Sequence, residues 1–180
     1  MRKAEDVWNS HRTTSDSFVE NFNHYGKLVS QFPLATARIV YAKAGTLPAA
    51  CIVRDARTVV DHKLYWMAAT RNDEATYLVA ILNSETTRAR VEQYQSRGQW
   101  GARDFDKVMF NLPIPRFDPG AALHHELAAT GAEAERFAAQ VGLAEDSRFQ
   151  RARALIRAAL TDAGIARRID DLVARLLDGH

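Results

Sequence analysis

The hydrophobic pattern of this chain changes character near residue 72. After a polar opening without a clear period, apolar and polar positions alternate in short segments broken by glycine, proline and aspartate. Such alternation is typical of strands and predicts four or five of them in a small mixed or antiparallel sheet. The segments with this pattern are 28–32, 37–43, 49–53, 58–60 and 63–67.

From Asn72 onward the apolar positions recur at helical spacing. Asn72 and Ser84 are suited to cap two helices, the second of which extends to about Tyr94. Residues 95–103, QSRGQWGAR, contain two glycines and no apolar period, and therefore predict an exposed loop. A short helix capped by Asp104 should follow, and then an extended NLPIPRFDPG segment, because residues before proline avoid the α region.

The last third of the chain is predicted to be helical, because its apolar residues form three amphipathic stripes that need a surface to cover them. The stripes are Leu123, Leu127, Ala134, Ala138 and Val141; Phe149, Ala152, Ile156 and Leu160; and Ile165, Ile169, Leu172, Val173 and Leu176. The predicted fold class is α+β: a small twisted sheet covered by helices, with a C-terminal helical extension. We divide it into an arm or linker (1–25), an α+β domain (26–118) and a helical region (119–180).

Composition narrows the class of protein. With 180 residues, 47% of them hydrophobic, the chain can bury a core and is not expected to be disordered. It has no apolar run long enough for a membrane span and no apolar leader, so we expect a cytoplasmic protein. The single cysteine, Cys51, excludes an internal disulfide, and its place in a predicted strand favours a buried thiol.

The net charge is only +2, but the charges are unevenly distributed along the sequence. Residues 21–72 carry seven basic and two acidic side chains, and residues 86–116 carry six and three. Residues 118–146 carry one basic side chain and six acidic ones. A basic middle region favours contact with a polyanion such as DNA, although solvated faces would give the same count.

Catalytic motifs for nucleotide, acyl or hydride chemistry are absent from the sequence. The one partial match is Asp61-His62-Lys63, which resembles half of a metal-dependent nuclease motif. That chemistry needs a second carboxylate on a preceding strand. Asp55 is the nearby candidate, and it lies too close in sequence for the usual geometry. A nuclease is therefore only our third hypothesis for the function.

Several segments occur in an order that is informative as a set. They are RIVYAKAGT (38–46), DHKLYW (61–66), EATYLVAILNS (74–84), QSRGQWGARDFDK (95–107), LPIP with RFD (112–118), and the helix HHELAATGAEAERFAAQV (124–141). In this order they resemble the C-terminal target-recognition domain of adenine-specific DNA methyltransferases, of the TaqI-like kind found in type II restriction–modification enzymes. The order is also similar to that of type I specificity subunits.

The resemblance implies that the chain contacts double-stranded DNA. Lys43 and Thr46 lie at a glycine turn after a strand, where contact with phosphate is expected. In the glycine loop, arginine can read guanine and glutamine can read adenine. The candidate DNA-binding residues are Lys43, Thr46, Lys63, Arg97, Gln99, Trp100 and Arg103.

The family's catalytic half carries a glycine motif for S-adenosylmethionine and an Asn-Pro-Pro-Tyr motif for the target adenine. Neither is present in this sequence. We therefore expect no cofactor and no catalytic residue in this chain, and we expect S-adenosylmethionine in a catalytic partner domain, fused or separate. The sequence therefore predicts a DNA-recognition module of a restriction–modification enzyme. The alternative is a helical protein–protein interaction or dimerisation module that does not touch DNA.

Overall fold

The structure of the protein, a computed structural model, describes residues 2–43, 48–61, 63–94, 96–98, 101–104, 109 and 111–179. It has an α+β fold, with a three-stranded antiparallel sheet, a separate two-stranded hairpin and a set of helices. In chain order the elements are α1 (Arg2–His11), α2 (Phe18–Phe22), β1 (Arg38–Ala42), β2 (Ala50–Val53), β3 (Leu64–Ala68), α3 (Asn72–Asn83), α4 (Glu85–Glu92), β4 (Ser96–Gly98), β5 (Gly101–Asp104), α5 (Ala122–Ala138), α6 (Phe149–Asp162) and α7 (Ile165–Asp178).

The sheet has the strand order β2-β1-β3, and its central strand pairs antiparallel with both neighbours. Three of the five predicted strand segments are confirmed. Residues 28–32 instead contain a short 3-10 helix, Val29–Gln31, and residues 58–60 form no strand. Residues 58–60 do not pair with a strand because a side chain binds the backbone of Val60 instead. The buried amide of Gln31 accepts from the Val60 N–H and donates to the Val60 carbonyl, both at 2.8 Å.

The helical core lies mainly between α3, α5 and α7. Tyr77 and Ile81 of α3 pack with Leu127 of α5 and with the apolar face of α7. The stripe predicted for α7 is confirmed, because its five members are all buried. A second core cluster, which includes Ile39 and Tyr41 of β1, lies between the sheet and the other side of α3. Helix α3 therefore joins the sheet to the C-terminal helices.

The helix boundaries agree with the sequence at Ser84, whose hydroxyl accepts from the Thr87 N–H and caps α4. Asn72 is the first residue of α3 rather than its cap, since Arg71 occupies that position. The predicted loop at 95–103 is wrong, because β4 and β5 form an antiparallel hairpin there. Asp104 is the last residue of β5, and residues 105–108 of the helix that it was predicted to cap lie outside the described residues.

The N-terminal arm contains two short helices that pack on each other. Ser17 and Glu20 form a reciprocal capping box at the start of α2. The ring of Phe18 lies 6.2 Å from that of Trp8 and 4.7 Å from that of Phe22. This arrangement explains how a segment with no clear apolar period still forms helices: local caps and one aromatic cluster hold it.

Candidate nucleic-acid interface

One end of the three-stranded sheet brings two of the predicted residues together. Ala42 pairs with Leu64 at the last position of the β1–β3 ladder. The next residues outward are Lys43 and Lys63, which are therefore neighbours at this end of the sheet. Lys63 is exposed, and its N–H donates to Oδ1 of Asp61 at 2.9 Å. Thr46, predicted to lie in the same turn as Lys43, falls outside the described residues.

Lys43 is half-buried and is oriented by an aromatic side chain. Its Nζ lies 4.3 Å from the centre of the Tyr65 ring, which is a cation–π distance. The Tyr65 ring in turn lies 5.2 Å from the ring of Tyr41 in the core. Because Tyr41 fixes the Tyr65 ring, the ammonium group of Lys43 is held at a defined position.

An open cleft of about 210 Å³ lies beside this end of the sheet. We call it the Lys27–Trp66 cleft. Its lining residues are Lys27, Ser30, Gln31, Lys43, Val60, Asp61, Leu64, Tyr65 and Trp66. The Gln31–Val60 hydrogen bonds form one wall by tying the segment before β1 to the segment before β3. The cleft therefore exists because two segments predicted as strands fold in another way.

Arg153 adds a cation that sequence reasoning missed. This residue of α6 donates from Nη2 to the Pro48 carbonyl at 3.1 Å, just before β2 begins. Partial burial, and then the neighbouring Arg157, lower the pKa of its guanidinium. More than a hundred residues separate Arg153 from Lys43, so no sequence pattern could have joined them.

Two further candidate residues, Arg97 and Arg103, lie in the β4–β5 hairpin. Ser96 pairs with Asp104 and Arg97 pairs with Ala102, so Arg103 is the extra residue of a bulge-like register shift. Bulges bend a strand and redirect the side chains near them. Gly98 and Gly101 form the last pair, which leaves the end of the ribbon without side chains at those positions. Gln99 and Trp100 lie outside the described residues.

Part of the uneven charge seen along the sequence is neutralised in the fold. Arg54 of the basic segment forms a two-pronged contact with Glu135 of the acidic helix α5, with Nη2–Oε2 at 2.9 Å. Other pairs that remove charge from the segment counts are Arg71–Asp73, Arg88–Glu85, Arg90–Asp178 and Arg168–Glu133. Segment counts therefore overstate the positive surface.

The Asp61-x-Lys63 match has a local structural role. Asp61 accepts from the Lys63 N–H and its carbonyl accepts from the Leu64 N–H, which closes the turn into β3. Asp55 is bound by Arg57 and Thr58 in its own turn. In the part of the chain that the structure describes, no group of three or more His, Cys, Asp or Glu side chains could hold a metal ion.

Cys51 was predicted to be buried, and this prediction is wrong. Its side chain is exposed on β2, an edge strand of the three-stranded sheet.

None of the described helices is long and apolar enough to cross a membrane. Comparison of the chain with protein-family models and with curated proteins gave no match.

Proposed function

We propose that this protein is a DNA-recognition module, which positions a separate adenine-methyltransferase or endonuclease domain on duplex DNA. The observation that carries the proposal is the β4–β5 ribbon. The major groove admits a two-stranded β-ribbon, and ribbon readers insert their strands there. Arg97 and the bulged Arg103 lie on opposite strands of this ribbon, and the paired glycines at its end allow close approach to DNA.

The basic end of the sheet supplies the second part of the proposed interface. Lys43 and Lys63 lie at the same end of the β1–β3 pair, and Arg153 donates to the Pro48 carbonyl just before β2. Cations fixed in this way suit phosphate oxygens, which set the register of a protein on DNA without reading its sequence. The proposed division is therefore phosphate contact at the sheet end and base contact from the ribbon.

S-adenosylmethionine belongs, in this proposal, to the partner domain, and the chain itself binds no cofactor. The function would place the protein in the cytoplasm with its DNA. The resemblance described above supplies the choice of partner, and the ribbon with its two arginines supports the choice of ligand.

The test is fluorescence anisotropy of the full chain with labelled duplexes of several sequences across a salt series. We expect micromolar-range affinity that falls steeply with salt, because binding releases counterions from the phosphates. Lys63→Ala should weaken binding to all duplexes alike. Arg103→Ala should also reduce discrimination between sequences, by about 1–3 kcal/mol if the side chain reads a base.

Arg57→Ala is the matched control, because it removes one exposed arginine from the turn at the opposite end of the sheet. It should leave duplex affinity close to that of the parent. If no duplex binds at low salt, or if the combined Lys63→Ala/Arg97→Ala/Arg103→Ala protein binds as well as the parent, the proposal is wrong.

The second candidate is a protein-interaction module, and α6 favours it in one respect. The apolar face of α7 is already covered by α3 and α5 of the same chain. Helix α6 keeps Phe149 70% exposed and Leu155 42% exposed. Light scattering over a concentration series would detect self-association through this helix, and Phe149→Ser together with Leu155→Ser should abolish it.

A further inference from the structure

We propose that the Lys27–Trp66 cleft binds an unpaired base of single-stranded DNA. This inference goes beyond duplex recognition and does not depend on it. Proteins that bind single strands combine a positively charged groove with aromatic faces on which bases stack. A base inside a duplex has both faces covered by its neighbours, so an aromatic stacking surface is of use only to an unstacked base.

The first observation is the indole of Trp66, which lines the cleft. Tyr65 and Trp66 are consecutive on β3, an edge strand, so their rings point to opposite faces of the sheet. The Tyr65 ring faces Tyr41 and the core, whereas Trp66 keeps 37% of its surface exposed. An indole beside an open cleft provides a large flat apolar surface at which a base can stack.

The second observation is a strained tyrosine beside Lys27. Tyr25 has φ +56°, in the left-handed region that costs energy for any residue but glycine, and it is 86% exposed. The turn is held by Asn23, whose Oδ1 accepts from the N–H groups of Leu28 and Val29. This strain brings no burial in return, since the ring is left in solvent. It is explained if the exposed ring contacts a ligand.

Lys27 connects the strained tyrosine to the cleft. Its Nζ lies 5.7 Å from the centre of the Tyr25 ring, and the residue also lines the cleft. Lys43, whose Nζ lies over the Tyr65 ring, is the second lysine that lines the cleft. This is the arrangement expected for a strand whose phosphates follow the lysines while its bases meet the rings.

The polar groups and the size of the cleft favour a base over a larger ligand. Gln31 is buried, and its Oε1 accepts from Val60 with one lone pair, so a second acceptor position is left. Asp61 provides a carboxylate on the same lining. The volume of about 210 Å³ is below the ~300–1,000 Å³ of pockets that enclose a drug-sized molecule. The cleft therefore suits one ring system, with the sugar and phosphate outside.

The experiment measures anisotropy of fluorescein-labelled oligo(dT) of twelve nucleotides with the full chain at low salt, beside a duplex of equal length. We expect oligo(dT) to bind. Trp66→Thr should weaken this binding by about five-fold or more, because loss of one stacked base costs on the order of 1 kcal/mol or more. Trp66→Phe, which keeps a ring, should retain most of the affinity.

Tyr25→Asn is the second variant. Asparagine tolerates the left-handed conformation, so the change removes the ring without disturbing the turn. It should also weaken oligo(dT) binding, whereas Tyr94→Asn, which removes an exposed tyrosine just after α4, should not. Duplex affinity should stay unchanged in all of these variants, so this inference and the proposed function can fail separately.

Three results would overturn the proposal: no oligo(dT) binding at low salt, equal binding by the parent, Trp66→Thr and Tyr25→Asn, or tighter binding of oligo(rU) than of oligo(dT). The last result would assign the cleft to RNA. Should Trp66→Thr lose its cooperative thermal transition, Tyr25→Asn decides the question, because its ring is outside the core.

Discussion

A β-carbon placed on Gly131 would lie 2.5 Å from the carbonyl oxygen of Thr76. Gly131 belongs to α5 and Thr76 to α3, so the two helices meet backbone to backbone at this point. The nearest side-chain atom, Cβ of Ala80, would be only 3.1 Å away. The small residues here set how closely α5 approaches the helix that joins both core clusters.

Gly131→Ala should therefore destabilise the protein. Alanine favours a helix over glycine by about 1 kcal/mol, but the contact is with rigid backbone, and overpacking of this kind costs roughly 1–3 kcal/mol or more. We expect a net loss in the free energy of unfolding, measured by urea denaturation. Gly142→Ala is the control, because a β-carbon there meets nothing within 4 Å. Equal stability of the two variants would show that α3 and α5 are further apart.

Leu172→Ala tests the apolar face of α7. Leu172 is fully enclosed in the helical cluster, so truncation should leave a cavity and lower the free energy of unfolding by about 2–5 kcal/mol. Leu155→Ala, the same change at a partly exposed site on α6, should cost much less. A loss below about 0.5 kcal/mol for Leu172→Ala would contradict the burial of this face.

The parts of the fold that the sequence predicts best are those whose pattern repeats over several turns or pairs. The five apolar positions of α7 are an example, since all five are buried. The alternation in β1 also located a strand, although its first four residues, Arg38 included, are all buried. The segment 58–60 has the same β-branched composition as a strand, but the Gln31 side chain takes both backbone hydrogen bonds of Val60. A single distant glutamine leaves no periodic trace in the sequence.

The residues of the candidate site also fall into two groups: those that the sequence predicts and those that only the fold brings in. Lys43 and Lys63 follow from strand boundaries, because an antiparallel pair brings the end of one strand to the start of the other. Lys27 lines the cleft because the segment before β1 folds beside this end of the sheet, and Arg153 contacts Pro48 from α6. Charge counting failed at Arg54 because its partner, Glu135, lies 81 residues away.

Asp170 of α7 provides a third test, since its Oδ1 accepts from the N–H groups of Glu85 and Thr86 at the start of α4. Asp170→Ala should leave these groups without that acceptor and lower the free energy of unfolding by roughly 1–2 kcal/mol. Asp170→Asn keeps an acceptor oxygen and should lose less. Equal losses in urea denaturation would show that the cap is not what Asp170 contributes.

The carboxylate of Asp170 should also affect how the free energy of unfolding depends on pH. Burial, and to a smaller degree Glu85, raise the pKa of Asp170 above its ordinary 3.8. The unfolded chain therefore releases this proton at lower pH than the folded chain, and the contribution of Asp170 to stability falls as the pH rises from near 3.8 through the higher folded value. Asp170→Asn has no such titration. Its stability relative to the parent should increase between pH 3 and pH 6, and a constant difference would contradict the raised pKa.

Tyr77 offers the corresponding test at alkaline pH. Its hydroxyl donates to the Pro115 carbonyl at 3.0 Å, and burial raises the pKa of the phenol to about 12 from an ordinary 10. The unfolded chain ionises first, so the parent loses the contribution of this group as the pH rises from about 10 to about 12.

Tyr77→Phe should be less stable at neutral pH by about 1 kcal/mol, for loss of the hydrogen bond. The deficit should shrink across this pH range, because phenylalanine has no proton to release. Tyr94→Phe, at an exposed tyrosine, should follow the parent throughout. A Tyr77→Phe deficit that stays constant up to pH 12 would mean that the phenol is not held in its neutral form by the fold.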